Sequence, residues 1–526
     1  MTGTGKLIRL ILRRDRFIMP LWVLVLGIVP AGYVSAFEGL FPTDQERIAY
    51  AQTSATNAGF VSLYGQLHGD SLGELVAWRS GFLPVIIGLF AALTVIRHTR
   101  TDEELGRTEL IGAAAVGRQA QLAAALITTA AAGVVLGLVL FLGMIGSGLP
   151  AAGALAFGAE FTASAWIFAA LAGIAAQLTS GARSARTLVV LAIGVSYVLR
   201  IVGDTSAIGD NGSLSFAAWL SPLGWVTHVF AFQANAWWPL ALSALFSVVA
   251  VIVAVVLLGH RDLGSGMLPS RLGRPAAAAW LRTAPALAWR LHRGLLIGWT
   301  LGFALLGIVF GGVGSSVLAI AEDNKGLSDI LGDLGGASSL ADNYFAGTAG
   351  LVGLIASCYA VQATLRLRDE EQKGHAEAVL TTSVSRWTWA ASHLLFSLIG
   401  PAVVLLAEGV AAGLTYDRAR LGDILTGTMV QLPAVWVLAA IAVLLFGVVP
   451  RLSLVAWAPP AICLLVLLVG GTLRLDQWVL DISPFTHVPH VPGGSVTALP
   501  LVTLTAVALV LTFTGLGGLR RRNIPD

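Results

Sequence analysis

The sequence has little charge and almost no cysteine, and both shortages limit what the protein can be. Only 12% of its 526 residues are charged and 56% are hydrophobic, whereas soluble domains carry about 25% charged residues. The two cysteines, Cys358 and Cys463, lie in apolar runs, which argues against a disulfide framework or a cysteine metal cluster. With a mean hydropathy of +0.81 and a net charge of +3, the composition excludes a soluble enzyme, a nucleic-acid-binding protein and a disordered scaffold. It predicts an all-α polytopic membrane protein.

The apolar segments are long enough to cross a bilayer about twelve times, because a spanning helix needs about 20 mostly apolar residues. Basic residues cluster in alternate loops, which predicts by the positive-inside rule that both termini lie in the cytoplasm. Arg418 and Arg420 depart from this pattern, and acidic residues from Glu322 to Asp342 mark an opposite loop. The predicted spans are 17–36, 78–96, 121–145, 152–178, 187–203, 237–259, 294–320, 346–366, 388–415, 428–449, 453–473 and 497–518.

An internal repeat divides these spans into two groups of six. The string from Asp102 to Glu109 aligns with the string from Glu370 to Glu377, and a Ser-Pro pair follows the fifth span of each group. An even number of spans per group predicts two parallel halves related by an axis along the membrane normal. The predicted halves are 1–259 and 287–526, joined by a basic linker at 260–286.

The repeated stretches lie between the second and third span of each half, at 101–118 and 369–386; we call them the first and second acid–glycine segments. Acid, glycine and acid recur at helical spacing, which predicts a short helix outside the membrane with all three on one face. The glycine would let another surface approach, and the carboxylates would accept salt bridges from a basic groove. A merely solvated loop helix is the alternative. The residues assigned to this role are Asp102, Glu103, Glu104, Gly106, Glu109 and Arg118 in the first segment and Glu370, Glu371, Gly374, Glu377 and Arg386 in the second.

These segments resemble the coupling helix of ABC-type exporter permeases of the ABC-2 class. Two six-span units fused in one chain resemble actinobacterial exporters linked to polyketide-antibiotic (tetronasin-type) resistance. The resemblance implies a separate ATPase subunit in two copies, carrying ATP and Mg²⁺, that grips one segment of each half. Closure of that ATPase would expel a lipophilic substrate through this chain. Lys373 and His375 stand where the first segment has Leu105 and Arg107, so the two docking sites are expected to differ.

The chain itself offers no nucleotide site. The string Gly3-Thr4-Gly5-Lys6 lacks the upstream glycine and the following hydroxyl of a phosphate-binding loop, so this chain is expected to be a permease, not an enzyme, with no cofactor of its own. Glu408, inside the ninth span, is a candidate for the substrate pathway or for a proton site. The second of these roles would make the protein an ion-coupled secondary exporter, which is the rival hypothesis. Arg200 and Arg474 are expected to extend to the membrane surface.

Overall fold

The computed structural model describes residues 2–208, 213–262, 264–268, 276–323, 339–469 and 476–522. The chain forms two compact units, Met1–Gly273 and Arg274–Asp526, which we call unit 1 and unit 2. The division lies within the segment 260–286 that the sequence predicts as a linker. The assignment of the two units as equivalent permease halves stays a prediction.

The protein is all-helical, as predicted: 81% of it is helix, and the described residues form no strand. Eleven helices in the described ranges are long and apolar enough to cross a membrane. Only helices satisfy every backbone hydrogen bond within one segment, which is why so apolar a chain adopts them in lipid. The prediction of an all-α polytopic membrane protein is therefore confirmed.

Unit 1 contains six of the eleven membrane-spanning candidates, together with short connecting helices. Its α-helices are α1 (Thr4–Arg14), α2 (Ile18–Leu40), α3 (Asp44–Thr56), α4 (Ala58–Tyr64), α5 (Leu72–Arg79), α6 (Leu83–His98), α7 (Arg100–Glu104), α8 (Arg107–Gly112), α9 (Ala120–Gly146), α10 (Ala151–Leu178), α11 (Ala182–Ser206), α12 (Pro222–Thr227) and α13 (Trp238–Gly259). A 3₁₀ helix, Ser215–Leu220, precedes α12.

Unit 2 contains the other five candidates. Its α-helices are α14 (Ala284–Asp323), α15 (Leu340–Gln372), α16 (His375–Leu380), α17 (Arg386–Tyr416), α18 (Leu421–Met429), α19 (Leu432–Val448), α20 (Ala458–Val469), α21 (Gln477–Leu480) and α22 (Ala498–Arg521). Its 3₁₀ helices are Ala279–Arg282, Arg418–Arg420, Pro450–Trp457 and Pro484–His487.

The predicted eleventh span, 453–473, is not among the eleven candidates. Helix α19 ends at Val448, as the predicted break at Val449 requires, and a 3₁₀ helix follows. Pro459 and Pro460 lie in the first turn of the next helix, where the missing backbone N–H of proline costs no hydrogen bond. Proline also disfavours helical geometry in the residue before it, which favours a break at this point. Of α20, 12 residues are described. The end of this predicted span and Arg474 lie outside the described residues.

Small residues allow the long helices of each unit to pack closely, as is common for helices in lipid. In unit 1, a Cβ at Gly137 of α9 would collide with the backbone oxygen of Gly158 in α10. In unit 2, a Cβ at Gly447 of α19 would collide with the backbone oxygen of Gly515 in α22. At these crossings the backbones of the paired helices are in direct contact.

Candidate functional site

Each acid–glycine segment is a turn between two helices, centred on its glycine. Gly106 has φ 70° and ψ 2°, and Gly374 has φ 70° and ψ 3°. The N–H of Gly106 donates to the carbonyl of Glu103 at 3.0 Å, and the N–H of Gly374 donates to the carbonyl of Glu371 at 3.0 Å. Because a left-handed residue ends a right-handed helix, the prediction of one continuous helix with acid, glycine and acid on one face was wrong.

The glycines are required by backbone conformation and not by a close contact within the chain. A Cβ at Gly106 or Gly374 would meet no atom within 4 Å. Positive φ is nearly free for glycine and costly for residues with a Cβ. The open space beside each turn is therefore surface that a partner could cover.

The leading carboxylate of each segment is engaged inside its own unit. Asp102 is 3% exposed and pairs with Arg14 at 2.6 Å and Arg107 at 3.0 Å. The corresponding Glu370 is 7% exposed and pairs with Arg366 at 2.9 Å. Asp102 therefore ties the first segment to α1, whereas Glu370 joins its own helix α15 to His375 of α16 at 3.2 Å. The spacing of the acids did not reveal these roles.

The second carboxylate of the first segment is held by an arginine beyond the last helix of unit 1. Glu103 accepts two hydrogen bonds of 2.7 Å from the guanidinium of Arg261, and a third from the N–H of Gly264 at 2.7 Å. Arg118 donates to the carbonyl oxygen of the same Arg261. We call Glu103, Arg118 and Arg261 the first arginine clamp.

Unit 2 repeats this arrangement. Glu371 accepts hydrogen bonds of 2.8 and 2.6 Å from the guanidinium of Arg522, just after α22. Arg386 donates to the carbonyl oxygen of Arg522 at 2.8 Å. Glu371, Arg386 and Arg522 form the second arginine clamp. Both clamps tie the start and end of an acid–glycine segment to the end of the last helix in the same unit.

Sequence reasoning missed Arg261 and Arg522, although it selected their partners. The two arginines are separated from their glutamates by 158 and 151 positions, and neither belongs to the aligned repeat strings. The signal was present in a weaker form, since each arginine follows the last span of its half. The hydrogen bonds of Arg118 and Arg386 to the carbonyl oxygens of these arginines were not predicted either.

The rest of each segment faces outward. In the first segment Glu109 is exposed and is flanked by two exposed apolar side chains, Leu105 at 57% and Leu110 at 79% exposure. In the second segment Glu377 and Lys373 are exposed. The two outward faces therefore share one carboxylate and differ in their surroundings, as the sequence predicts from Leu105 and Lys373. Glu104 is used differently: it accepts a hydrogen bond from the N–H of Ala182 at 3.1 Å, at the start of α11.

A buried ionic cluster supports the first segment from the side of α1. Asp15, between α1 and α2, is 2% exposed and contacts His98 at 2.6 Å and Arg97 at 3.1 Å. Burial alone would raise the pKa of the Asp15 carboxyl, but the hydrogen bond to His98 and the charges of His98, Arg97 and Arg14 outweigh burial and lower it. Asp15 is therefore ionised at neutral pH and joins α1 to the end of α6.

The structure buries Glu408, which the sequence places inside a span, and Arg200, which it places near the end of one. Glu408 is 2% exposed in α17, and its Oε2 has no hydrogen-bond partner among the described residues. The prediction that Arg200 extends to the membrane surface was wrong. Arg200 is 1% exposed, lies 3.8 Å from Asp204 and donates to the carbonyls of Ser62 and Leu63. A guanidinium with these acceptors close by has no need to reach the headgroups.

Each Ser-Pro pair begins a short helix. The hydroxyl of Ser221 accepts a hydrogen bond from the N–H of Gly224 at 3.1 Å and starts α12. The hydroxyl of Ser483 accepts one from the N–H of Phe485 at 3.4 Å and starts a 3₁₀ turn. Both serines cap a short helix, as N-terminal serines commonly do.

Long apolar helices and two turns stabilised in the same way define a polytopic α-helical membrane protein with a repeated surface element. Comparison with known proteins then specifies the family. The chain is 40% identical over 531 aligned residues to the multidrug efflux system permease protein Rv1217c of Mycobacterium tuberculosis, covering 99% of this chain and 95% of that relative. Residues 281–520 match the family model described as the multidrug efflux system permease Rv1217c, C-terminal domain. The chain belongs to the family of the multidrug efflux permease Rv1217c.

Proposed function

We propose that this chain is the transmembrane permease subunit of an ATP-driven exporter of the ABC-2 class, similar to the tetronasin-type resistance exporters. A separate ATPase in two copies would bind ATP and Mg²⁺ and dock one copy on each acid–glycine segment. In this arrangement both termini lie in the cytoplasm and the protein resides in the bacterial cytoplasmic membrane. The substrate would be a lipophilic drug, a class supported by the efflux function in the name of the relative.

The observation that carries the proposal is the same outward turn in both units. Gly106 and Gly374 agree in φ and differ by 1° in ψ (2° and 3°). Each turn is fixed by an arginine clamp and presents one exposed carboxylate, Glu109 or Glu377. A solvated loop has no need of buried ion pairs to hold its shape, since such pairs are costly unless their geometry is well matched. A docking surface needs a fixed shape to transmit force.

The clamps also supply a mechanical connection. A push on the first segment reaches α13 through Glu103 and Arg261, whose two hydrogen bonds are each 2.7 Å long. In unit 2 the same push reaches α22 through Glu371 and Arg522. ATP-driven movement of a docked ATPase would thus act on the last helix of each unit as well as on the helices adjoining the segment.

The double variant Glu109→Lys/Glu377→Lys tests the proposal. We expect it to fold normally, because both side chains are exposed, but to lose ATPase binding and at least about tenfold of ATP-dependent drug export, because like charges at an interface cost several kcal/mol. Co-purification of the ATPase and drug uptake into inside-out vesicles measure the two effects. Normal export by this variant would refute the docking role.

Glu38→Lys is the matched control. Glu38 is an exposed carboxylate near the end of α2 (Ile18–Leu40), and at 1.5 Å per residue it lies about 30 Å from the start of that helix. The same charge reversal there should leave export unchanged. Loss of export in the control as well would point to a general charge effect.

One observation keeps an ion-coupled secondary exporter as a second candidate. The Oε2 atom of Glu408 is buried without a hydrogen-bond partner among the described residues, and intramembrane carboxylates often carry protons in transporters. This hypothesis expects Glu408→Gln to abolish drug transport driven by a proton gradient without any ATPase. Unchanged proton-driven transport in that variant would leave the second candidate without its proton site.

A further inference from the structure

Unit 1 contains a cavity at the opposite end from the first acid–glycine segment. Helix α11 starts at Ala182, which Glu104 of that segment contacts, and its other end carries Asp204, which lines the cavity. Pro84, at the start of α6, also lines it, whereas the end of that helix adjoins the segment. The cavity is therefore separated from the segment by the length of the bundle, and the docking role does not use it.

Two buried carboxyl groups line this cavity, and only one has a cationic neighbour. Asp204 is 1% exposed and lies 3.8 Å from Arg200, yet its Oδ2 has no hydrogen-bond partner among the described residues. Glu160 is 7% exposed and accepts a hydrogen bond from the backbone N–H of Ala231. No ion pair in the described part of the chain includes Glu160. A buried carboxyl without a cation beside it is costly in its charged form and stays protonated. A positive group bound next to Glu160 would stabilise the charged form, so the wall offers a position for one such group.

Aromatic rings complete the wall. The Nε1 of Trp78 donates to the carbonyl of Gly65 at 2.8 Å, which fixes that ring, and Tyr64 packs edge-on against it at 5.0 Å between centroids. Phe157 and Phe161 pack edge-on at 5.0 Å and also line the cavity. Aromatic faces attract organic cations and gain most when water is excluded.

The size of the cavity limits the ligand to a small group. The cavity volume open to the centre of a water molecule is about 50 Å³. Holding one water takes at least about 10–15 Å³ of such volume. A few waters or one ammonium group fit, whereas a whole drug molecule does not. The body of a larger ligand would have to stay outside the cavity.

We propose that this cavity binds the ammonium group of an organic amine, with Glu160 as its counter-charge, Asp204 as a second acceptor and the rings of Trp78 and Phe161 around it. Binding by the chain alone is independent of ATP. Where the amine is an exported drug, the inference rests on the proposed function.

Benzylammonium is a suitable probe, and benzyl alcohol is its neutral counterpart. Saturation-transfer NMR on the purified full chain in detergent, without ATPase or nucleotide, gives the dissociation constant of each. We expect benzylammonium to bind at least about tenfold more tightly than the alcohol, and Glu160→Gln to remove about that factor, which corresponds to about 1.4 kcal/mol. Glu38→Gln makes the same substitution at an exposed carboxylate of unit 1 that does not line the cavity, and it should leave the affinity unchanged.

The remaining outcomes are decisive without a variant. Equal binding of the alcohol and the ammonium ion by the unmodified chain would overturn the proposal, as would displacement of benzylammonium by equimolar sodium, which would indicate an inorganic cation site. If Glu160→Gln does not elute as a monodisperse protein, the comparisons of benzylammonium with benzyl alcohol and with sodium on the unmodified chain still test the proposal. Ammonium binding without ATP-dependent export would refute only the proposed function, and export without ammonium binding would refute only this inference.

Discussion

Glu103 and Glu109 lie six positions apart in the same segment, but the structure gives them opposite roles. The side chain of Glu103 is 8% exposed and shares two hydrogen bonds with Arg261, whereas Glu109 is exposed. Removing one member of a buried pair leaves the other charge uncompensated and costs about 3–5 kcal/mol. Exposed substitutions usually change stability by no more than about 0.5 kcal/mol.

We therefore expect Glu103→Gln to lower the free energy of unfolding of unit 1 by about 3 kcal/mol and Glu109→Gln to leave it unchanged. Thermal unfolding in mild detergent, followed by circular dichroism, compares the two variants. A destabilisation by Glu109→Gln equal to that of Glu103→Gln would show that the arginine clamp does not hold the segment.

The ionic contacts of Asp15 make a pH-dependent prediction. Because its pKa is lower in the folded protein than the ordinary value of 3.8, Asp15 stabilises the fold above that ordinary value, and this contribution is lost as pH falls through the lower, folded pKa. Asp15→Asn should thus destabilise unit 1 at pH 7, by about 1.5–3 kcal/mol for hydrogen bonds to a charged group. As pH falls below 3.8 and through the lower, folded pKa, the unmodified chain and the Asp15→Asn variant should converge in stability. A difference that persists undiminished at about pH 2 would contradict the ionic role.

At the scale of the element, the left-handed turn is the decisive feature of each segment. Gly106→Ala and Gly374→Ala should each cost about 1–2 kcal/mol, because a Cβ is strained at positive φ. Gly112 is the control, since it ends α8 without positive φ and with no atom within 4 Å of a Cβ. Gly112→Ala should be neutral or stabilising by up to about 1 kcal/mol. Equal effects at Gly106 and Gly112 would mean that the turn conformation is not required.

The same turn shows where prediction from sequence succeeds and where it does not. Hydrophobic length predicted most of the long helices, because lipid leaves the backbone no alternative. A glycine inside a helical pattern can be a tolerated interior residue of one helix or the residue that ends a helix. The periodicity of Asp102, Gly106 and Glu109 favoured the first interpretation, which is wrong. Local geometry decides between them through a hydrogen bond, from the N–H of Gly106 to the carbonyl of Glu103, that no side-chain pattern encodes.

The partners in the candidate site were less predictable than its own residues. The acids of both segments could be selected because they recur in register. Their arginines lie 158 and 151 positions away, and only the packed bundle brings them near. The prediction for Arg200 failed for the same reason, because its carbonyl acceptors on α4 come from a distant part of the chain.

At the scale of the whole molecule, the division into two units predicts independent stability. Both cysteines belong to unit 2, and Cys463 is 4% exposed. In a Cys358→Ser background, maleimide labelling of Cys463 during thermal unfolding thus reports on unit 2. We expect Glu371→Gln, which breaks the second clamp, to lower the temperature at which Cys463 reacts. Glu103→Gln should leave that temperature unchanged.

The outcome separates two kinds of folding. If Glu103→Gln lowered the labelling temperature as much as Glu371→Gln, the chain would unfold as one cooperative body and the two units would not be energetically independent. The circular dichroism signal of the helices, to which both units contribute, is recorded for each variant and compared with the labelling of Cys463. Unfolding of unit 1 in the Glu103→Gln variant should then appear as a loss of helix that precedes labelling.

The paired glycines also have a consequence for mutation. Asparagine is the side-chain-bearing residue that best tolerates the left-handed conformation of Gly106 and Gly374, but no single nucleotide change converts a glycine codon into an asparagine codon. The accessible replacements are alanine, serine, valine, cysteine, arginine, tryptophan, glutamate and aspartate, nearly all of which oppose positive φ. Spontaneous point mutants selected for loss of efflux should therefore include changes at these two codons, and revertants should regain glycine more often than they acquire a substitute.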